Sequence, residues 1–223
     1  MSTPLLIFPC NGNGIEALDC LGDRFRLVGF VDDTPGKHGT GPQGHPVSGR
    51  SAFGDWAEAM VLAVPGSPVS YRARRQAIES LRLPDRRFAR VIHPSAQVSR
   101  FAQVGRNVLI MAGAVVTSNA VIGDHVCVLP NTVIHHDCIV GAWTLVGSNV
   151  TIAGGTVIGE NCYIGSGSSV MNGLRIGDEA LVGLGSTVVR DVPTRTAVAG
   201  NPAHIFEKRL ESGDRPVPAS RIQ

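Results

Sequence analysis

The stretch Ala120-Val121-Ile122-Gly123-Asp124-His125-Val126-Cys127-Val128-Leu129-Pro130-Asn131-Thr132-Val133-Ile134 sets Ile122, Val128 and Ile134 six residues apart. The same stride runs outward without a gap. It reaches back through Val116, Ile110, Val104 and Val98 to Ile92. It continues forward through Val140, Val146, Ile152, Ile158, Ile164, Val170, Ile176 and Val182 to Val188. Amphipathic strands repeat every two residues and helices near every 3.6, so a period of six fits neither. It predicts a parallel β-helix whose flat faces each take one hexapeptide. Two residues before many of these aliphatics stands a smaller side chain, such as Ala114, Ala120, Thr132, Cys138, Thr144, Thr156, Ser168, Ala180 or Ser186. A glycine often follows directly, as at Gly105, Gly123, Gly141, Gly147, Gly159, Gly165, Gly177 and Gly183. The aliphatic is expected to fill the prism, the smaller residue to pack beside it, and the glycine to ease a corner through positive φ.

The preceding residues read differently. Leu5 to Phe8 predicts a buried strand, Gly12-Asn13-Gly14 a tight turn, Ile15 to Leu21 a helix and Leu27 to Val31 a second strand. A Gly/Pro-rich loop from Thr34 to Gly49 and a strand at Met60 to Val64 follow. Next comes a helix over Ser67 to Leu81, with Ser67 as its cap and Pro68 at its first position. Phe88 to Ile92 reads as a last short strand. This order implies a small Rossmann-like parallel α/β domain over 1–90, followed by the β-helix over 91–200. The segment 201–223 is expected to hold a closing helix near Ala203 to Leu210 and a mobile polar tail.

The 223 residues carry 20 basic and 18 acidic side chains, a near balance that argues against a nucleic-acid partner. No apolar run approaches the roughly 20 residues of a membrane span. Five cysteines, odd in number and without a CxxC pair, point to reduced thiols and a cytoplasmic protein. Gly12-x-Gly14-x-x-Ala17 follows a strand and precedes a helix, and Asp32 and Asp33 come about 20 residues later, the loose pattern of a dinucleotide-binding turn. A structural turn would read the same way. The short domain suits a mononucleotide carrying a sugar better than a dinucleotide.

His135-His136-Asp137 is a cluster of titratable groups that leaves the hexad stride unbroken, so it belongs on the coil itself. With three faces per coil, residues eighteen apart stack, which puts His136 between Ser118 and Gly154. A glycine above a histidine is expected to leave open space for an elongated thioester arm. A neutral imidazole suits a general base, and a neighbouring carboxylate would orient it. The competing reading is a pair of histidines decorating a solvent-facing corner. His125, His135 and His136 offer no spacing that would converge on zinc, so no metal is expected.

These residues resemble a known group. Phe30-Val31-Asp32-Asp33, Val91-Ile92-His93-Pro94, the hexads, Val133-Ile134-His135-His136-Asp137-Cys138 and Gly200-Asn201-Pro202-Ala203 are similar to the sialic acid O-acetyltransferase-like family of sugar O- and N-acyltransferases. The resemblance spans nearly the whole chain. It implies a left-handed β-helix assembled as a homotrimer, with acetyl-CoA between adjacent β-helices. It also implies that a nucleotide sugar reaches in from the N-terminal domain of a neighbouring subunit. By position, His136 would be the base and Asp137 its acidic partner. Gly154, Ser166 and Leu184 would line the groove for the pantetheine arm, and Gly200, Asn201, Pro202 and Ala203 would lie near the CoA nucleotide. Asn11, Gly12, Asn13, Gly14, Asp32 and Asp33 would meet the nucleotide sugar. The family's usual Gly-x-x-Gly-His-Gly turn is replaced here by Pro9-Cys10-Asn11-Gly12-Asn13-Gly14, and Asn13 carries no charge. The expected function is acetylation of a nucleotide-linked, 4-amino sugar for surface-glycan synthesis. A sugar hydroxyl as acceptor, or a non-catalytic trimeric nucleotide-binding scaffold, are the alternatives.

Overall fold

The computed structural model describes residues 2–206. All seventeen hexads fold as two-residue strands, from Val91–Ile92 to Thr187–Val188, each ending on the aliphatic of the repeat. Every third strand pairs in parallel: Val115 lies beside Val133 and Val133 beside Thr151, an offset of eighteen residues per coil. Three sheets result. The first carries Leu109, Cys127, Leu145, Tyr163 and Leu181 outward, the second Val115, Val133, Thr151 and Ser169, the third Val121, Ile139, Val157 and Arg175. The chain is thus a left-handed parallel β-helix preceded by a small parallel α/β layer.

Inside the prism, Ile110, Val116, Ile122, Val128, Ile134, Val140, Val146, Ile152, Ile158 and Ile164 form one core of buried aliphatics drawn from all three sheets. The smaller partners Ala114, Ala120, Thr132, Cys138, Thr144, Thr156, Ser168, Ala180 and Ser186 are fully buried beside them. Buried hydroxyls need partners. Thr132 Oγ1 donates to the Gly147 carbonyl at 2.6 Å and Ser168 Oγ to that of Gly183 at 2.9 Å.

The corners correct one expectation. Positive φ falls three residues after the aliphatic, not one. It recurs at every sixth residue from Asn107 to Gly185, with φ between 52° and 74°. Asn, Asp and Gly tolerate this region best, yet His125, Trp143 and Glu179 also adopt it. The glycine directly after the aliphatic serves close approach between coils. A Cβ on Gly141 would stand 2.5 Å from the Gly159 carbonyl carbon, and one on Gly165 would stand 2.7 Å from that of Gly183.

In the N-terminal region, β1 (Thr3–Phe8), β2 (Phe25–Val31) and β5 (Met60–Ala63) form the expected parallel core of the sheet. The loop after Asp33 supplies two further strands, β3 (Gly39–Thr40) and β4 (Pro46–Ser48), giving the order β3-β4-β2-β1-β5. Gly12-Asn13-Gly14 is not a turn but the first turn of helix α1 (Gly12–Glu16), because Asn11 caps it: Gly14 N–H donates to Asn11 Oδ1 at 2.8 Å. The expected long helix shortens to a 3₁₀ turn at Tyr71–Ala73 and an α-helix at Arg74–Glu79. Ser67 instead closes a local turn, accepting from the Val69 and Ser70 N–H groups. Phe88 makes only an isolated bridge to Val61, and Val91–Ile92 already belongs to the first sheet of the β-helix. At the far end, His204–Ile205 is a strand antiparallel to Ala197–Ala199, where a helix was expected. The remainder of that expected helix and the tail lie outside the described residues.

One face of the N-terminal sheet packs on the first sheet of the β-helix. Leu5, Ile7, Phe30, Leu62, Val64 and Tyr71 share a core with Leu109, Cys127, Leu145, Tyr163 and Leu181. The corner column Asn107, His125, Trp143, Asn161 and Glu179 completes this contact. Asn107 takes the Ala63 N–H on Oδ1 at 2.7 Å and donates to the Ala63 carbonyl at 2.8 Å. Asn161 donates to the Arg72 carbonyl, and the Tyr71 hydroxyl donates to that of Glu179.

Candidate active site

The edge where the second and third sheets meet lies away from the N-terminal region, and His136 stands there. Its Nδ1 is 2.7 Å from Asp137 Oδ2. A carboxylate only accepts, so the neutral ring carries its proton on Nδ1 and keeps the Nε2 lone pair free. Asp137 occupies the left-handed corner position, φ 58°, which swings its carboxylate alongside the ring of its own neighbour. The hydrogen bond from His136, and then that from Asn119, hold the Asp137 carboxyl below the usual range. Both side chains are more than half exposed.

Gly154, one coil above, makes room for the imidazole itself. A Cβ there would lie 2.6 Å from Nε2 and 2.7 Å from Cε1 of His136. The expected open space over the histidine is therefore taken by the ring, which lies against the Gly154 backbone. Cys138 sits next in sequence but faces the inside of the prism. Its Sγ donates to the Ala153 carbonyl at 3.1 Å, and burial pushes the thiol up. It is thus unsuited to act as a nucleophile beside the histidine.

The remaining predicted positions fall in three other places. Ser166 and Leu184 lie on the corner between the first and second sheets, so a single chain does not bring them to His136. Ser166 Oγ accepts from the Ser148 N–H at 3.0 Å, and Leu184 is 69% exposed. Gly200 caps the second sheet, its carbonyl accepting from Thr187 N–H at 3.0 Å, while Ala203 donates back to the Thr187 carbonyl. Asn201 and Pro202 are exposed between them.

Asn11, Gly12, Asn13 and Gly14 gather with Asp32 and Asp33 at the carboxyl ends of β1 and β2, the usual place for a ligand in a parallel sheet. Asn11 is already engaged, capping α1 and donating to the Val64 carbonyl. Gly14 is confined, since a Cβ would stand 2.4 Å from the Pro9 carbonyl oxygen; Gly12 is open. Asp32 is buried and fully used, accepting from Cys10 N–H, Thr34 N–H and Lys37 Nζ. Burial pushes its carboxyl up, but Lys37 and Thr34 outweigh this and hold it low. Asp33 is held low by a two-pronged bond from Arg50. Sequence reasoning missed Lys37 and Arg50, which no local motif marks. It also missed Asn119, which a search eighteen residues before Asp137 would have found. Among the described residues, no group of three His, Cys, Asp or Glu side chains is placed to hold a metal ion.

A family profile for the bacterial transferase hexapeptide (six repeats) matches residues 119–154 and 155–190. Repeat and fold make the chain similar to one class of protein, the hexapeptide-repeat acyltransferases. Within it, the chain is similar to perosamine N-acetyltransferase from Caulobacter crescentus, solved as a histidine-to-asparagine variant with CoA and GDP-perosamine. The identity is 26% and the TM-score 0.80, over 93% of this chain and 98% of that one. It is also similar to the acetyltransferase domain of PglB from Neisseria gonorrhoeae, solved with acetyl coenzyme A, at 28% identity and TM-score 0.81 over 92% and 100% of the two chains. WeeI from Acinetobacter baumannii shares the fold at 23% identity, TM-score 0.76. No curated protein sequence matches the chain.

Proposed function

We propose that this protein transfers the acetyl group of acetyl-CoA to the amino group of a nucleotide-linked sugar, with His136 as general base. The observation that carries this reading is the His136–Asp137 pair at 2.7 Å on an uncovered corner, with Nε2 free. His136 takes a proton as the amine attacks the acetyl carbonyl carbon. The resulting oxyanion meets a backbone N–H of the Gly154 coil. Collapse expels the CoA thiolate, which recovers the proton from the imidazolium. No acyl-enzyme forms, consistent with the inward-facing Cys138. The relatives solved with CoA and GDP-perosamine support this choice of substrates.

In this reading the active unit is a homotrimer. Ser166 and Leu184 on the corner of one copy would face His136 and Gly154 of the next, with the pantetheine arm between them and Gly200 to Ala203 near the CoA nucleotide. The N-terminal turn, Asn11 to Gly14 with Asp32 and Asp33 behind it, would deliver the sugar from a neighbouring copy. Five buried, unpaired cysteines fit a reducing compartment. The division into 1–90, 91–200 and 201–223 follows the same logic of nucleotide, acyl and terminal segments.

The test is CoA release from acetyl-CoA with UDP-, dTDP- and GDP-linked sugars, amino and hydroxyl forms side by side. Release with one amino sugar is expected. Release only with hydroxyl sugars would overturn the choice of acceptor. His136→Ala is expected to lower kcat by about 10²–10⁴-fold while the assembly stays intact. Wild-type turnover in that variant would remove the base.

A further inference from the structure

We infer that Asn119 is a positioning residue for the base, so that three successive coils build it: Asn119 below, His136 and Asp137 between, and Gly154 above. The inference rests on His136 being the base. Asn119 Nδ2 lies 3.0 Å from Asp137 Oδ1, while Asp137 Oδ2 takes His136 Nδ1 at 2.7 Å. Because a carboxylate has no proton to give, the amide presents its NH₂ and the two oxygens are divided, one to each neighbour.

Asp137 needs such a restraint. Its side chain is 56% exposed, and one hydrogen bond to a still more exposed ring leaves its carboxylate free to turn toward water. Asn119 sits in the same corner column, eighteen residues earlier, with φ 62°. The left-handed corner alone would be served by glycine, as it is at Gly155 and Gly173 further up the column. What asparagine adds is an amide that reaches the coil above. With Asp137 pinned from below and the imidazole seated on Gly154, both the ring plane and its tautomer are set by contacts on either side. Asp137 is the charged partner of His136 among the described residues. Ser118 and Gly154 stack below and above it, and His135 precedes it in the chain.

Asn119→Gly separates this role from a structural one, since glycine keeps the left-handed corner without strain. In full-length protein carrying ¹⁵N-labelled histidine, the ring nitrogens of His136, assigned by their loss in His136→Ala, report the tautomer in wild type and variant. A loosened carboxylate holds the proton on Nδ1 less firmly, so Asn119→Gly is expected to shift the ring toward the Nε2–H tautomer, at an unchanged melting temperature. With the amino sugar accepted in the release assay, kcat should drop several-fold while KM for acetyl-CoA holds. An unchanged tautomer overturns the role of Asn119 and leaves the base standing. Wild-type turnover in His136→Ala overturns the base, and Asn119 with it.

Discussion

At the scale of single residues, Gly154 shows how a missing side chain can be a functional part. Its φ lies outside the left-handed region, so alanine fits the backbone there, but the added methyl would fall on the His136 ring. The ring is the movable partner, and it would turn away. Gly154→Ala is therefore expected to leave the melting temperature nearly unchanged and to cost about 10²-fold in kcat, as displacement of a reacting group by about 1 Å does. A thermal melt beside a turnover assay checks both halves. An alanine variant that melts low but turns over normally would contradict the placement. The pair His136-Asp137 stood out in the sequence because two titratable groups interrupted nothing in the hexad stride. Asn119 did not, because its meaning lies eighteen residues away and asparagines recur at the left-handed corners, at Asn107, Asn131, Asn149 and Asn161.

At the scale of elements, each hexad is a strand of two residues that has no stability apart from its neighbours above and below. Ile152 is fully buried in the middle of the stack, between the coils of Ile134 and Val170. Ile152→Ala is expected to cost about 2–5 kcal/mol, from lost transfer energy plus the cavity left behind. That would appear as a fall in Tm on the order of 10 °C. The whole strand set could be read from the sequence, because a period of six is itself the steric repeat of the prism. The corners could not: a glycine beside an aliphatic looks like a φ requirement, whereas Gly141 and Gly165 answer to the coil above them. The helix over Ser67 to Leu81 was overextended for a tertiary reason. Tyr71 is drawn down to the Glu179 carbonyl, and Arg74, fully buried, donates to the carbonyls of Pro65 and His125. The strands β3 and β4 escaped notice because two or three residues inside a Gly/Pro-rich segment carry no alternation to detect.

At the scale of the whole molecule, the N-terminal sheet and the prism meet at His125. The ring stacks on Trp143 at 5.6 Å, stands edge-on to Phe88, and accepts on Nδ1 from Asn107. Burial pushes its pKa down to about 4. The folded protein thus holds this histidine neutral, while the unfolded chain takes up a proton near pH 6.5. Between those values the unfolded state binds more protons, so stability falls as the pH drops from about 6.5 to about 4 and gains nothing further from this group below that. Melting curves across that range should show the decline, and His125→Asn, which keeps the left-handed corner, should flatten it. The same stacking has a consequence of length. Sheet two climbs from the His136 level through Ile152, Val170 and Val188 to Gly200, four rungs linked by successive backbone hydrogen bonds. At about 4.8 Å per rung, that is roughly 19 Å. The prism is in effect a ruler, and its graduations are coils. Under the proposed chemistry it measures the separation between the thioester and the nucleotide of the co-substrate. Adding or removing eighteen residues between Gly154 and Gly200 would leave Asn119, His136 and Gly154 touching, yet change that separation by one whole mark.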